Sequence, residues 1–466
     1  MHGHRARSEG SGVGDHHGSG AGHHRQRPAR RRPFARSRLR QPNRHLLLYG
    51  HFGRKGVFWR YNYGVATDPV AAEARRTPDA TGVAPVVAAQ SRTSYLDLLR
   101  AAALARVLLY HATGWLWLSL LVPAMGVMFG VAGALLAASL DRYGTRAVGR
   151  RMRRLLVPFW AFGATVLVLV AVAGQVSGTP SGFGWGDVCW WLLPLRVPSA
   201  GAMSWGWAFT VGLWYVSTYL WLTLLSPLLL PLYRRWPWPV LAAATALPVC
   251  AHLAGVTQFY FVVSYLPCWL LGFAYHDGLL RRVPARLYHG LVLVLATVGG
   301  TWVLLAATTG APGELNHIPA GSTIWSMAWV AALLRWAPRS TAVARSTGEV
   351  RPTRGGGLLR LVNARALTVY LWHIPASAAI TALLMPWLSF DSVAHVGIRL
   401  VGMVLLTAVA ALAVGWIEDL AARRRPRLLR VGAPAVSRST RRGGAGVPRG
   451  RTAVDGPMPP VGAERG

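Results

Sequence analysis

Residues Tyr95–Trp160 read YLDLLRAAALARVLLYHATGWLWLSLLVPAMGVMFGVAGALLAASLDRYGTRAVGRRMRRLLVPFW. A first apolar run carries Asp97, Arg100, Arg106 and His111. A second run, rich in Gly and Ala, follows almost at once. A basic knot from Arg142 to Arg154 then leads into a third. Ionisable side chains inside sequence this apolar are costly in a bilayer, which makes them candidates for function. The same alternation of apolar runs and basic connectors continues down the chain, and it decides the fold class.

Across the 466 residues, 53% are hydrophobic and only 14% charged, and Trp occurs 21 times. The apolar residues fall in blocks near the roughly 20 residues needed to cross a bilayer. The fold class expected is all-α: a polytopic membrane helix bundle. The formal charge of +34 invites a nucleic-acid reading. Its distribution argues for none, because the charge sits in the two terminal arms and in loops between apolar blocks, as the positive-inside rule requires. The three cysteines, Cys189, Cys250 and Cys268, have neither metal spacing nor an even count for disulfides, and read as small buried hydrophobes.

Working outward, residues 1–93 form a basic arm rich in Arg, Gly, Pro, Ser and His, too polar to fold alone. His16, His17, His23 and His24 read as part of a solvated tail, since nothing there fixes ligand geometry. An aromatic segment, LLLYGHFGRKGVFWRYNYG, is apolar enough to touch a membrane surface. Residues 418–466 form a basic tail. Between them, in 94–417, lie ten apolar stretches, at about 97–117, 120–140, 155–175, 208–232, 239–256, 258–276, 288–308, 321–337, 366–386 and 395–416. With the N-terminus placed inside, the inside loops hold RRMRR, YRRW, LLRRVPAR, a long Arg-rich connector and RRRPRLLR. The outside loops hold almost no basic residue, Arg196 being the clear case. This predicts about ten transmembrane helices with both termini cytoplasmic. The longest outside loop, 176–207, carries several Trp residues, an aromatic belt or a ligand platform.

In the first stretch, Arg100 and His111 are eleven residues apart. They share a helix face, about 16 Å from each other along the axis. Asp97 lies one turn before Arg100 and is placed to pair with it. The face thus offers a cation at the cytoplasmic entrance and an imidazole deeper in, suited to moving protons near neutral pH. The plainer alternative is an anchoring Arg and a satisfied buried His. Arg106 falls on another face, with no role evident. In the basic knot, Arg151 and Arg154 face one way and Arg150 and Arg153 another. Guanidinium forks bind phosphates well, although a cytosolic Arg cluster is also what topology alone demands. A second His site is TVYLWHIPASA, with His373 one turn after Tyr370. Asn363, His276–Asp277 and Glu418–Asp419 stand at stretch ends, where boundary residues are common. No P-loop, dinucleotide-binding glycine pattern, HExxH or GxSxG is present.

These residues resemble acyltransferase family 3, a family of integral membrane proteins. SYLDLLRAAALARVLLYH is similar to that family's first span, with its Arg-x10-His. GVMFGVAGALL corresponds to the glycine-bearing second span, and RRMRRLLVPFW to the Arg-x-x-Arg loop. GLWYVSTYLWLTLLSPLL, YLPCWLLGFAYHDG and NARALTVYLWHIPA follow in the family's order. One departure is Ala132-Gly133-Ala134, where the family often has Ser-Gly-Phe, so a hydroxyl is missing.

The resemblance implies a multi-pass plasma-membrane O-acyltransferase. Its donor substrate would be acyl-CoA, most simply acetyl-CoA, and its acceptor a hydroxyl of a carbohydrate or glycoside. His111 and Arg100 would be catalytic. Arg151, Arg154 and Arg150 would bind the donor, and His373 and Tyr370 would stand on the acceptor side. An activated thioester needs positioning and a base, so neither a metal nor a bound cofactor is expected. The contrasting reading is a transporter or flippase using buried Arg and His as a substrate and proton path.

Overall fold

The computed structural model describes residues 83–178, 182, 184–256, 259–310, 314–318, 320–337, 356–390 and 392–426. Most of the N-terminal arm, with its histidines and aromatic segment, lies outside the described residues, as do most of the C-terminal tail and the Arg-rich connector. Among the described residues every regular element is helical and none is a strand.

Each of the ten apolar stretches holds a principal helix. They are α1 Val83–Thr113, α2 Ala124–Tyr143, α3 Arg146–Ser177, α4 Trp214–Arg235, α5 Pro237–Leu253, α6 Tyr260–His276, α7 Ala285–Thr308, α8 Gly321–Arg335, α9 Ala366–Leu384 and α10 Val393–Val414. Shorter helices, among them Leu116–Leu121, Trp185–Leu192, Gly356–Ala364 and Trp416–Ala421, join or flank them. Among the described residues, six segments are long and apolar enough to cross a membrane: Leu116–Tyr143, α3, Trp207–Arg235, α7, α9 and α10. The remaining four fall short for two reasons. α5 and α6 have 17 residues and α8 has 15. α1 is long, but it carries Asp97, Arg100 and Arg106 through its apolar part.

A glycine at positive φ caps α2 and α3. Gly144 (φ 56°) stops α2, and its N–H caps the Leu140 carbonyl at 2.7 Å. Gly178 (φ 63°) ends α3 in the left-handed region that a side chain disfavours.

α2 is the centre of the bundle: 78% of its apolar window lies inside, against 11% for α7. Lipid tails are as apolar as leucine, so helices associate in membranes through close packing and small residues. α2 and α6 follow that rule. A Cβ on Gly133 would stand 2.3 Å from the Trp269 carbonyl oxygen, and one on Gly272 would stand 2.2 Å from that of Gly130. Neither glycine tolerates a methyl without parting the two backbones. Phe129 of α2 packs between Tyr215 and Tyr265, with ring centroids 5.0 and 4.8 Å away.

Polar ties fix the ends. Arg234 of α4 donates to both oxygens of Asp141 (2.8 and 2.9 Å) and both of Asp277 (2.9 and 2.7 Å). Asp141 also accepts from His276 Nε2 at 2.8 Å. The two carboxylates at the ends of α2 and α6 are thus gathered on one guanidinium, with His276 held on Asp141. Arg106 finds a role here. Its Nε donates to the Leu118 carbonyl (3.1 Å) and its Nη2 to that of Ser119 (2.7 Å). Both carbonyls lie near the end of the short Leu116–Leu121 helix, where intrahelical donors run out.

Candidate active site

Two cavities lie along α1. The first, about 380 Å³, is walled by Arg100, Arg151, Arg154, Arg424, Tyr215, Tyr219 and Tyr370, with Glu418 and Asp419. The second, about 460 Å³, is walled by Tyr110, His111, Trp205, Trp207, Glu314, Ser377 and Arg399. Arg100 and His111 therefore open onto different cavities from one helix, eleven residues apart, as their spacing requires.

The basic knot divides as its periodicity predicts. Arg151 and Arg154 line the first cavity, and Arg151 donates to the Tyr219 hydroxyl at 2.7 Å. Arg150 turns away, its guanidinium 3.9 Å from the centre of the Tyr143 ring. Arg153 donates to the Ala421 carbonyl at 2.8 Å. Arg150, expected on the donor with Arg151 and Arg154, does not line their cavity: it lies one residue off their face and stacks on an aromatic ring instead.

Asp97 and Arg100 form no ion pair among the described residues; Asn363 Nδ2 instead donates to the Asp97 backbone carbonyl at 2.9 Å. The cavity's own acids are engaged elsewhere. Asp419 pairs with Arg365 at 2.8 Å, with both side chains 4% exposed. Glu418 accepts from the Thr368 backbone N–H at 2.8 Å and from its hydroxyl. Burial pushes the Glu418 carboxyl up, against the pull of those Thr368 bonds and of Arg365 and Arg100.

A file of rings separates the cavities. Tyr215 and Tyr370 have centroids 4.8 Å apart, Tyr370 and His373 5.5 Å, and His373 and His111 5.1 Å. Tyr370 was expected on the acceptor side with His373. It lines the first cavity, with the arginines, and donates from its hydroxyl to the Gly212 carbonyl at 2.8 Å. His373 is wholly buried between the cavities. Its Nδ1 lies 2.6 Å from the Tyr370 carbonyl, which accepts and so fixes the proton on Nδ1. Nε2 is left as a lone pair without a hydrogen-bond partner among the described residues.

Several lining residues escaped the sequence reading. Trp205 and Trp207, weighed only as part of a Trp-rich loop, line the second cavity. Glu314 accepts from the Tyr110 hydroxyl at 2.9 Å. Arg399, 3% exposed in the middle of α10, donates through Nε to the Ala112 carbonyl and lies 4.4 Å from the Phe390 ring centre. A lone Arg in an apolar run was the available signal, the same one that drew attention to Arg106. Ala132 sits on the wall of the first cavity, so the absent hydroxyl would have faced it.

Chemically, the first cavity offers guanidinium groups to an anion. The second offers an imidazole beside indoles, hydroxyls and a carboxylate, a set that suits a hydroxylated ligand.

No curated protein and no solved structure matches the chain. The family model described as an acyltransferase domain matches residues 93–417, a range that holds Arg100, His111, Arg151, Arg154, Tyr370 and His373. The chain belongs to acyltransferase family 3.

Proposed function

We propose that the protein is a multi-pass enzyme of the plasma membrane that moves an acyl group, most simply acetyl, from acyl-CoA to a hydroxyl of a carbohydrate or glycoside. Ten helices span the bilayer in this reading, with both termini in the cytoplasm, where the basic loops then lie. The observation that carries it is the arrangement on α1: Arg100 in a cavity with Arg151 and Arg154, and His111 in a second cavity beyond the rings. The donor's phosphates bind Arg151 and Arg154, and Arg100 holds the donor where its narrow arm enters the bundle. The acceptor stacks on Trp205 and Trp207. His111 takes the proton of its hydroxyl as the oxygen attacks the thioester carbonyl. The C–O bond forms, the C–S bond breaks, and the proton passes to the departing thiolate. His373, its Nε2 lone pair buried beside His111, shares that proton work. A brief acyl-imidazole on His111 is the covalent variant of the same step.

The test is transfer of a labelled acetyl group from acetyl-CoA to surface glycans by membranes bearing His111→Ala. Transfer is expected to fall by about 10²–10⁴-fold, the loss typical of a removed general base. Undiminished transfer sinks the assignment.

The paired cavities also fit a transporter that exposes one buried His pair to either side in turn. Purified protein in vesicles separates the two. Substrate movement without thioester consumption favours transport, and stoichiometric release of free thiol favours the enzyme.

A further inference from the structure

The helix Trp416–Ala421 ends in a tight turn through Ala422, Arg423 and Arg424. The N–H of Arg424 donates to the Asp419 carbonyl (2.8 Å), and that of Arg423 to the Leu420 carbonyl (2.9 Å). This is the paired 6→1 and 5→2 pattern that closes a helix through a left-handed residue, a place usually taken by Gly or Asn. Here Arg423 holds it, at φ 55°. The turn is anchored from within, because Asp419 is the residue locked to Arg365 in the buried ion pair. Its outcome is to set Arg424 on the wall of the first cavity. Backbone held in an unfavourable region marks places where position matters.

Among the described residues, no carboxylate is paired with Arg424. Arg154 lies within electrostatic reach of Arg424, Arg151 and Arg153, all of one sign. Arg151 is engaged by a neutral hydroxyl. The two carboxylates on the wall are committed to Arg365 and Thr368. No ion pair among the described residues includes Arg154 or Arg424. Both are exposed at the cavity's mouth, whereas Arg100 and Arg151 are half-buried. Guanidinium groups that converge where the wall's two carboxylates are already engaged are organised for a multiply charged anion, and phosphate oxygens match their fork.

We infer that Arg424, with Arg154, is the recognition site for a terminal phosphomonoester on the nucleotide end of the donor. Arg151 and Arg100 meet the parts that reach further in. The inference rests on the acyl-CoA reading and extends it to a residue outside the matched range 93–417. It makes the tail after α10 part of the donor site.

The experiment uses the full chain in nanodiscs of neutral lipid. Binding of coenzyme A and of 3′-dephospho-coenzyme A is measured by calorimetry. The parent protein is expected to prefer coenzyme A by about tenfold or more, the worth of a charge-assisted pair. Arg424→Gln removes the preference and leaves dephospho-coenzyme A binding as it was. Arg423→Gly, which suits the left-handed backbone, keeps the preference. An undiminished preference in Arg424→Gln overturns the inference while leaving the donor reading intact. Failure of the parent to bind either nucleotide overturns both. If Arg424→Gln instead abolishes only a dependence on added phosphatidylglycerol, the phosphate is a lipid headgroup and the inference falls.

Discussion

His373→Phe separates stability from function. The side chain is fully buried, and its Nε2 has no hydrogen-bond partner among the described residues. A buried polar atom left unpaired costs about 1–3 kcal/mol. Phenylalanine removes that penalty and keeps a ring of similar size against His111 and Tyr370. What it forfeits is the Nδ1 bond to the Tyr370 carbonyl, a neutral hydrogen bond worth about 1 kcal/mol net. That carbonyl lies inside α9 and keeps its helical partner. The folded state should therefore be unchanged or more stable by up to about 2 kcal/mol. Catalysis should move the other way. If His373 shares the proton with His111, transfer drops by about 10²–10⁴-fold, equivalent to about 3–5 kcal/mol of barrier. The assay pairs thermal unfolding in nanodiscs with labelled acetyl transfer by the same preparation. A Tm at or above the parent's together with a collapsed rate is the expected result. A lowered Tm refutes the account of Nε2, and a rate within about twofold of the parent refutes the proton role.

Gly272→Ala should prevent proper folding, because its methyl would meet the Gly130 carbonyl at 2.2 Å, whereas Gly290→Ala in open space on α7 should be neutral or gain up to about 1 kcal/mol; yields of monodisperse protein check both. Asp419→Leu alone should cost about 3–5 kcal/mol by removing the carboxylate of the buried ion pair with Arg365, and adding Arg365→Met should recover most of it, as read by the two Tm values. Ala132→Ser should leave stability within about 1 kcal/mol of the parent's, since helical serines here bond back one turn, as Ser139 does to the Leu135 carbonyl. Its hydroxyl borders the first cavity, so the KM for acyl-CoA should change while that for the acceptor does not.

The helices were legible because hydrophobic blocks and basic connectors are properties of composition along the chain. Every apolar stretch holds a principal helix. The number that reach across a membrane was less legible, because length and charge trade against packing. α8 is 15 residues long, yet two-thirds of it is buried. Arg151 and Arg154 were readable as a pair from their spacing, and so was the turning aside of Arg153. The rotation of α9 was not: its hydrophobic residues surround the helix on all sides, so nothing in the pattern said which cavity Tyr370 would meet. Glu314 and Arg424 lay in loop and tail, where periodicity carries no information and only the folded chain reveals their neighbours.

The ring file bears on the membrane as an insulator. A bundle that bound one substrate from each side through a common aqueous hole would leak ions down whatever gradient the cell maintains. Tyr215, Tyr370, His373 and His111 stand in file between the cavities, so rings lie across the line on which that hole would run. Only a thin, uncharged group need pass the file for material on one face to be joined to material on the other. The seal and the reacting centre would then be one set of side chains, and a substitution that opened the file for faster chemistry would be paid in leakage.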